Sequence, residues 1–154
     1  MNNEMFLFRK NALLNNLCKE WSDMWKACKN NKEKLVRLSL MQQSIPFFAS
    51  YCYSGKGLTK EYVLSEFKDY TNGVVHDGCD GIDNYTYRLF VGYTDEIMQQ
   101  ADVTHLMWSD IPIYVVGRYK CPILYVSNKS KVCIAADGYN YIRVYLFDES
   151  ELAI

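Results

Sequence analysis

The chain has 154 residues, enough for one ordinary domain or for two small ones sharing an interface. Apolar residues make up 49% of it and charged residues 23%, which excludes a disordered chain, and no apolar run approaches the length of a membrane span. Net charge is −1, but residues 1–60 carry ten Lys or Arg against four Asp or Glu, while residues 61–154 carry seven against fourteen. A basic part docking on an acidic part explains this asymmetry better than a nucleic-acid surface would, so nucleic acid is not an expected partner.

The opening stretch MNNEMFLFRK holds an apolar patch too short for a signal-peptide core, followed at once by Arg9 and Lys10. The chain is therefore expected to stay in the cytoplasm, or to leave it by a route other than secretion. Its six scattered cysteines (18, 28, 52, 79, 121 and 133) form no CxxC pair, and most are expected to be buried thiols.

From Leu14 the apolar positions run Leu17, Cys18, Trp21, Met24, Trp25 and Cys28, the spacing of one helix face. Trp21 and Trp25, one turn apart, read as helix–helix core and not as a ligand clamp. Asn30 and Asn31 supply a cap for a second helix carrying Leu35, Val36, Leu38, Leu40, Met41 and Ile45, which Pro46 breaks. A further helix is predicted after Thr59, with Tyr62, Val63, Phe67 and Tyr70 inward and a stop at Asn72-Gly73. A DNA-reading helix-turn-helix over FASYCYSGKGLTKEYVLSEF is disfavoured, because Glu61, Glu66 and Asp69 would repel phosphate as much as Lys60 and Lys68 attract it.

VVHDGCDGIDNYTY (74–87) gathers His76, Asp77, Cys79, Asp80 and Asp83 between turn-forming glycines. As a calcium loop it has the wrong spacing, since Asp77, Asp80 and Asp83 are three apart and no terminal Glu follows. As a zinc site it lacks a second ligand pair, and as a Cys–His nucleophile it lacks an orienting third group. It reads as the junction where helices give way to strands, and no metal is expected.

YTYRLFVGY (85–93) alternates and is predicted to be an entry strand. Three later segments then align without gaps at a spacing of twenty: VTHLMWSDIPIY (103–114), ILYVSNKSKVCI (123–134) and RVYLFDESELAI (143–154). The apolar columns are Leu106, Val126, Leu146; Pro112, Val132, Leu152; and Tyr114, Ile134, Ile154. A fixed period of strand pairs predicts a short β-solenoid, of the parallel β-helix kind, with about three rungs; an antiparallel meander is the alternative. His105, Tyr125 and Tyr145 would form an outward ladder, so Trp108, Tyr125 and Tyr145 are the candidate binding surface, unless the helical part covers them. The last strand, ELAI, has nothing after it to cover its edge, so a second copy is the expected cover.

The resulting expectation is an α+β chain: a helical module over 1–73, a junction loop over 74–84 and a β-rich repeat domain over 85–154. No P-loop, GxGxxG, GxSxG or HExxH is present, so neither a catalytic residue nor a cofactor is expected.

LCKEW (17–21), GLTKEYVLSEF (57–67), YTNG (70–73), KCPILYVSNKS (120–130) and GYNYIRVYLFDES (138–150) resemble an uncharacterised group of small Bacteroidetes phage and prophage proteins. The resemblance implies a helical head with a β-solenoid-like tail and a mobile-element origin, and it assigns no activity to any residue. The expectation it completes is a non-enzymatic interaction or structural protein that self-associates and presents a contact surface. Its place would be the host bacterial cytoplasm or the virion, and its further partner a host or virion protein. The alternative is a counter-defence protein that sequesters a nucleotide-like signal or blocks a host enzyme.

Overall fold

The structure is a computed structural model that describes residue 10, residue 13 and residues 19–29, 31–40, 59–77, 85–115, 121–136, 141–147 and 149–153. Within them lie three short helices and nine strands. Helix α1 (Lys19–Ala27) has Glu20 in its first turn and Lys26 in its last, each favourable to the helix dipole. The chain leaves it through Lys29 at φ 46°. Asn31 then caps α2 (Lys32–Ser39), its side chain accepting from the Lys34 N–H at 3.0 Å. Thr59 does the same for α3 (Lys60–Glu66), accepting from the Tyr62 N–H at 3.1 Å.

The strands are β1 (His76–Asp77), β2 (Thr86–Val91), β3 (Ile97–Met98), β4 (Val103–Met107), β5 (Asp110–Val115), β6 (Ile123–Ser127), β7 (Lys131–Ala136), β8 (Arg143–Leu146) and β9 (Glu151–Ala153). They divide between two sheets, β1-β2-β4-β6-β8 and β3-β5-β7-β9. Every pair is parallel except β1 on β2, which is antiparallel.

Three layers result. The five-stranded sheet has both faces covered through its middle, where β4 and β6 are buried along their whole lengths, as strands with two dry faces must be, while β8 at its edge stays largely exposed. One face carries Tyr87, Leu89, Val91, Val103, Met107, Ile123 and Tyr125, which share a core with Trp25, Leu35, Leu38, Leu40, Val63 and Phe67 of the helical segments. The opposite face supplies Phe90, Leu106, Leu124 and Val126 to a second core with Ile111, Ile113, Val115, Val132 and Ile134 of the four-stranded sheet. That second sheet alternates buried and exposed along β5 and along β7 up to Ala135, so its outer face lies open.

This overturns the expectation of a helical module followed by a β-solenoid. Among the described residues strands predominate, the three helices are seven to nine residues long, and they pack against a sheet. The strands form two separate sheets, one mixed and one parallel, that do not close into a coil. The meander fails too, since the pairing from β2 onward is parallel. Nor is the period fixed. Tyr87 pairs with Val103, sixteen residues on; Val103 with Ile123, twenty on; and Asp110 with Lys131, twenty-one on.

That extra residue has a large consequence. Ile111, not Pro112, pairs with Val132 and faces the core, while Pro112 and Tyr114 point outward. A one-residue slip moves every side chain of a strand to the other face, so the ungapped columns through Pro112 and Tyr114 were wrong. Leu106, Val126 and Leu146 do share a register, although Leu146 is exposed and Leu152 only half-buried.

The true repeat at the corner is a serine column. The Tyr93 N–H donates to Ser109 Oγ at 3.1 Å, the Ser109 N–H to Ser130 Oγ at 3.0 Å, and the Ser130 N–H to Ser150 Oγ at 3.1 Å. The connections β2–β3, β4–β5, β6–β7 and β8–β9 also turn there through left-handed residues: Gly92, Trp108, Asn128 with Lys129, and Glu149. Across the sheet, Asp102 closes the start of β4 by accepting from both the N–H and the hydroxyl of Thr86, at 2.9 and 3.0 Å.

Candidate contact surface

The aromatic ladder exists. His105 and Tyr125 stack with ring centroids 5.6 Å apart, and Tyr125 and Tyr145 stack at 4.9 Å, because in-register parallel strands place identical columns one strand spacing apart. It is not one free surface, however. His105 is buried, Tyr125 is 6% exposed, and only Tyr145, at 42%, opens to solvent. Trp108, half-buried, packs against the helix–sheet core with Phe147.

The cover comes from α2. Leu40, its C-cap, offers its carbonyl to His105 Nε2 at 3.0 Å. A carbonyl only accepts, so Nε2 carries the proton of a neutral imidazole. Burial dominates the environment of this ring and pushes its pKa down to about 3, against the smaller opposing effect of the Leu40 contact. Burial, followed by the Tyr145 hydroxyl nearby, pushes the Tyr125 phenol up to about 12.

At the junction, His76 and Asp77 are strand residues of β1 and not loop. His76 sits between Tyr70, edge-on at 5.1 Å, and Tyr87, stacked at 5.9 Å, and burial lowers its pKa. Arg37 of α2 ties this strand down, donating to the Asp77 carbonyl at 3.1 Å. Cys79, Asp80 and Asp83 lie outside the described residues, as do Cys18, Cys52, Leu14, Leu17, Met41, Ile45, Pro46, Ile154 and most of the helix-turn-helix stretch. Among the described residues no three His, Cys, Asp or Glu side chains gather as a metal site, and no helix is long and apolar enough to cross a membrane. Of the described cysteines, Cys28 is buried as expected, but Cys121 and Cys133 are exposed.

The surface that sequence reasoning missed is the outer face of the four-stranded sheet. Three rows of side chains cross it in register. Asp110, Lys131 and Glu151 form the first, Pro112, Cys133 and Ala153 the second, and Met98, Tyr114 and Ala135 the third. All nine are exposed, Met98 at 52% and Tyr114 at 46%. The small second row leaves a shallow groove of about 310 Å³, floored by Ile111, Val132 and Leu152. Parallel sheets are ordinarily covered on both faces, so an open one is a candidate contact surface. Aligning Ser109, Ser130 and Ser150 instead of counting twenties would have revealed it, since that alignment inserts the extra residue before β7. No family model, curated protein or solved structure matches this chain.

Proposed function

We propose that this is a non-enzymatic interaction protein, of the phage or prophage kind its sequence resembles, that self-associates and presents the outer face of its four-stranded sheet as a contact surface. It would act in the host bacterial cytoplasm or on the virion. One observation carries the reading: a parallel sheet whose outer face combines Met98, Tyr114 and a small-residue groove with a row of alternating charge. Burying that face removes apolar area from water, at roughly 25 cal/mol per Å² before the costs of association.

Cys133, in the middle of the face, and Cys121, outside it, are both exposed thiols and make a matched pair of reporters. Alkylation in cells expressing the chain, read by peptide mass spectrometry, is expected to modify Cys121 freely and Cys133 several-fold less. Equal labelling of the two in cells would refute the reading.

A further inference from the structure

We infer that the occupant of this face is a second copy of the chain, packed face to face about a two-fold axis that runs along the strands between β5 and β7. This rests on the contact-surface reading above and goes further by fixing the partner and its register. Strand order on the face is β3-β5-β7-β9, so this axis lays β5 across β7 of the other copy and β3 across β9. The overlap is complete for β5 and β7, whereas Met98 of β3 lies in the third row and Glu151 and Ala153 of β9 in the first two, so the contact centres on β5 and β7.

The same axis matches the chemistry. Asp110, Lys131 and Glu151 share one row in the order acid, base, acid. With β5 over β7, each Asp110 faces Lys131 of the other copy, twice by symmetry. In the third row Tyr114 faces Ala135, a large side chain over a small one, and in the second Pro112 faces Cys133. Moving the axis onto β7 sets Lys131 against itself and Asp110 against Glu151, which is repulsive. Turning the axis across the strands sets Asp110 over Tyr114 and Lys131 over Ala135, stranding charge on apolar surface. Sheets packed this way stay within about 30° of alignment, so the correspondence holds near the centre.

Size sets the strength. The strands are two, six, six and three residues long, so at about 3.3 Å per residue and about 4.8 Å spacing they present about 270 Å², a third of what a standard interface buries per partner. The association is therefore weak, with a dissociation constant on the order of a hundred micromolar.

Sedimentation equilibrium of the full chain up to several hundred micromolar tests this. Dimerisation is expected, weakened about tenfold by Lys131→Glu or by Asp110→Lys, and restored when Asp110→Lys and Lys131→Asp are combined. Ala135→Arg should also abolish it, and Glu151→Lys should leave it within about twofold. All these positions are exposed, so melting temperatures should fall by no more than a few degrees, the cost of like charges on neighbouring strands, and serve as the folding control. A monomer throughout the range overturns the inference, and so does a dimer indifferent to Lys131→Glu or lost with Glu151→Lys. A strict monomer whose Cys133 is nonetheless protected in cells would overturn this inference, and self-association with it, while leaving this face a contact surface for a different partner.

Discussion

Acid should destabilise this protein through His105, and the size of the effect follows from its surroundings. The imidazole is buried between the Leu40 carbonyl and the Tyr125 ring, and its pKa in the folded chain is about 3 against an ordinary value of 6.5. The unfolded chain therefore binds a proton that the native one refuses throughout that interval. Stability from this group is complete above pH 6.5 and is lost as pH falls toward 3. At about 1.4 kcal/mol per pKa unit, going from pH 7.5 to pH 5 removes about 2 kcal/mol. The comparison protein is His105→Phe, which keeps a ring on Tyr125 but cannot titrate. It leaves the Leu40 carbonyl without its donor, a loss of about 1–3 kcal/mol at neutral pH. Urea unfolding at pH 7.5, 6 and 5 should show the variant weaker at pH 7.5, with the gap narrowing by about 2 kcal/mol at pH 5. His76 titrates in both proteins and drops out of the difference. A gap that stays constant across this range would refute the burial argument.

Three other substitutions probe the fold. Ser130→Ala removes the acceptor for the buried Ser109 N–H and the donor to the Ser127 carbonyl. About 1–3 kcal/mol should go, read as a fall in melting temperature of several degrees, and an unchanged value would show that the column is decorative. Ile111→Asp should cost several kcal/mol and yield insoluble protein, whereas Pro112→Ser should stay within about 0.5 kcal/mol. The opposite pattern of solubility and melting would restore the ungapped register. Glu149→Gly should leave the melting temperature unchanged or raise it, because relief of an exposed left-handed residue at φ 57° offsets the added freedom of the unfolded chain; a clear drop would contradict this.

Local chemistry was legible in the sequence where one residue decides the outcome. Asn31 and Thr59 cap helices because a short oxygen-bearing side chain at that position accepts a free N–H. Trp25, Val63 and Phe67 face inward because the helical period puts them on one side. Stacking of His105, Tyr125 and Tyr145 was also legible, from identical spacing along β4, β6 and β8. Long-range facts were not. Nothing near Tyr125 announces that the end of α2 covers the ladder, because Leu40 and His105 are sixty-five residues apart. A glycine stop for α3 was expected at Gly73, but the helix ends at Glu66. Gly73 instead sits at φ 80°, where any Cβ would overlap the Phe90 ring. The outer face was hidden by the single residue added between β6 and β7, which an ungapped comparison cannot register.

The five-stranded sheet is a partition as well as a scaffold. Among the described residues, its helix side and its strand side hold two separate cores, with β2, β4, β6 and β8 between them. Losing the helical layer would wet one core while leaving the other's side chains in place, so the molecule has a route to partial opening that stops short of complete unfolding. The amides of β4 and β6, shielded on both sides, would be the last to exchange with solvent, and those of β9 among the first. Protection against exchange should thus fall in steps outward from the middle sheet, layer by layer.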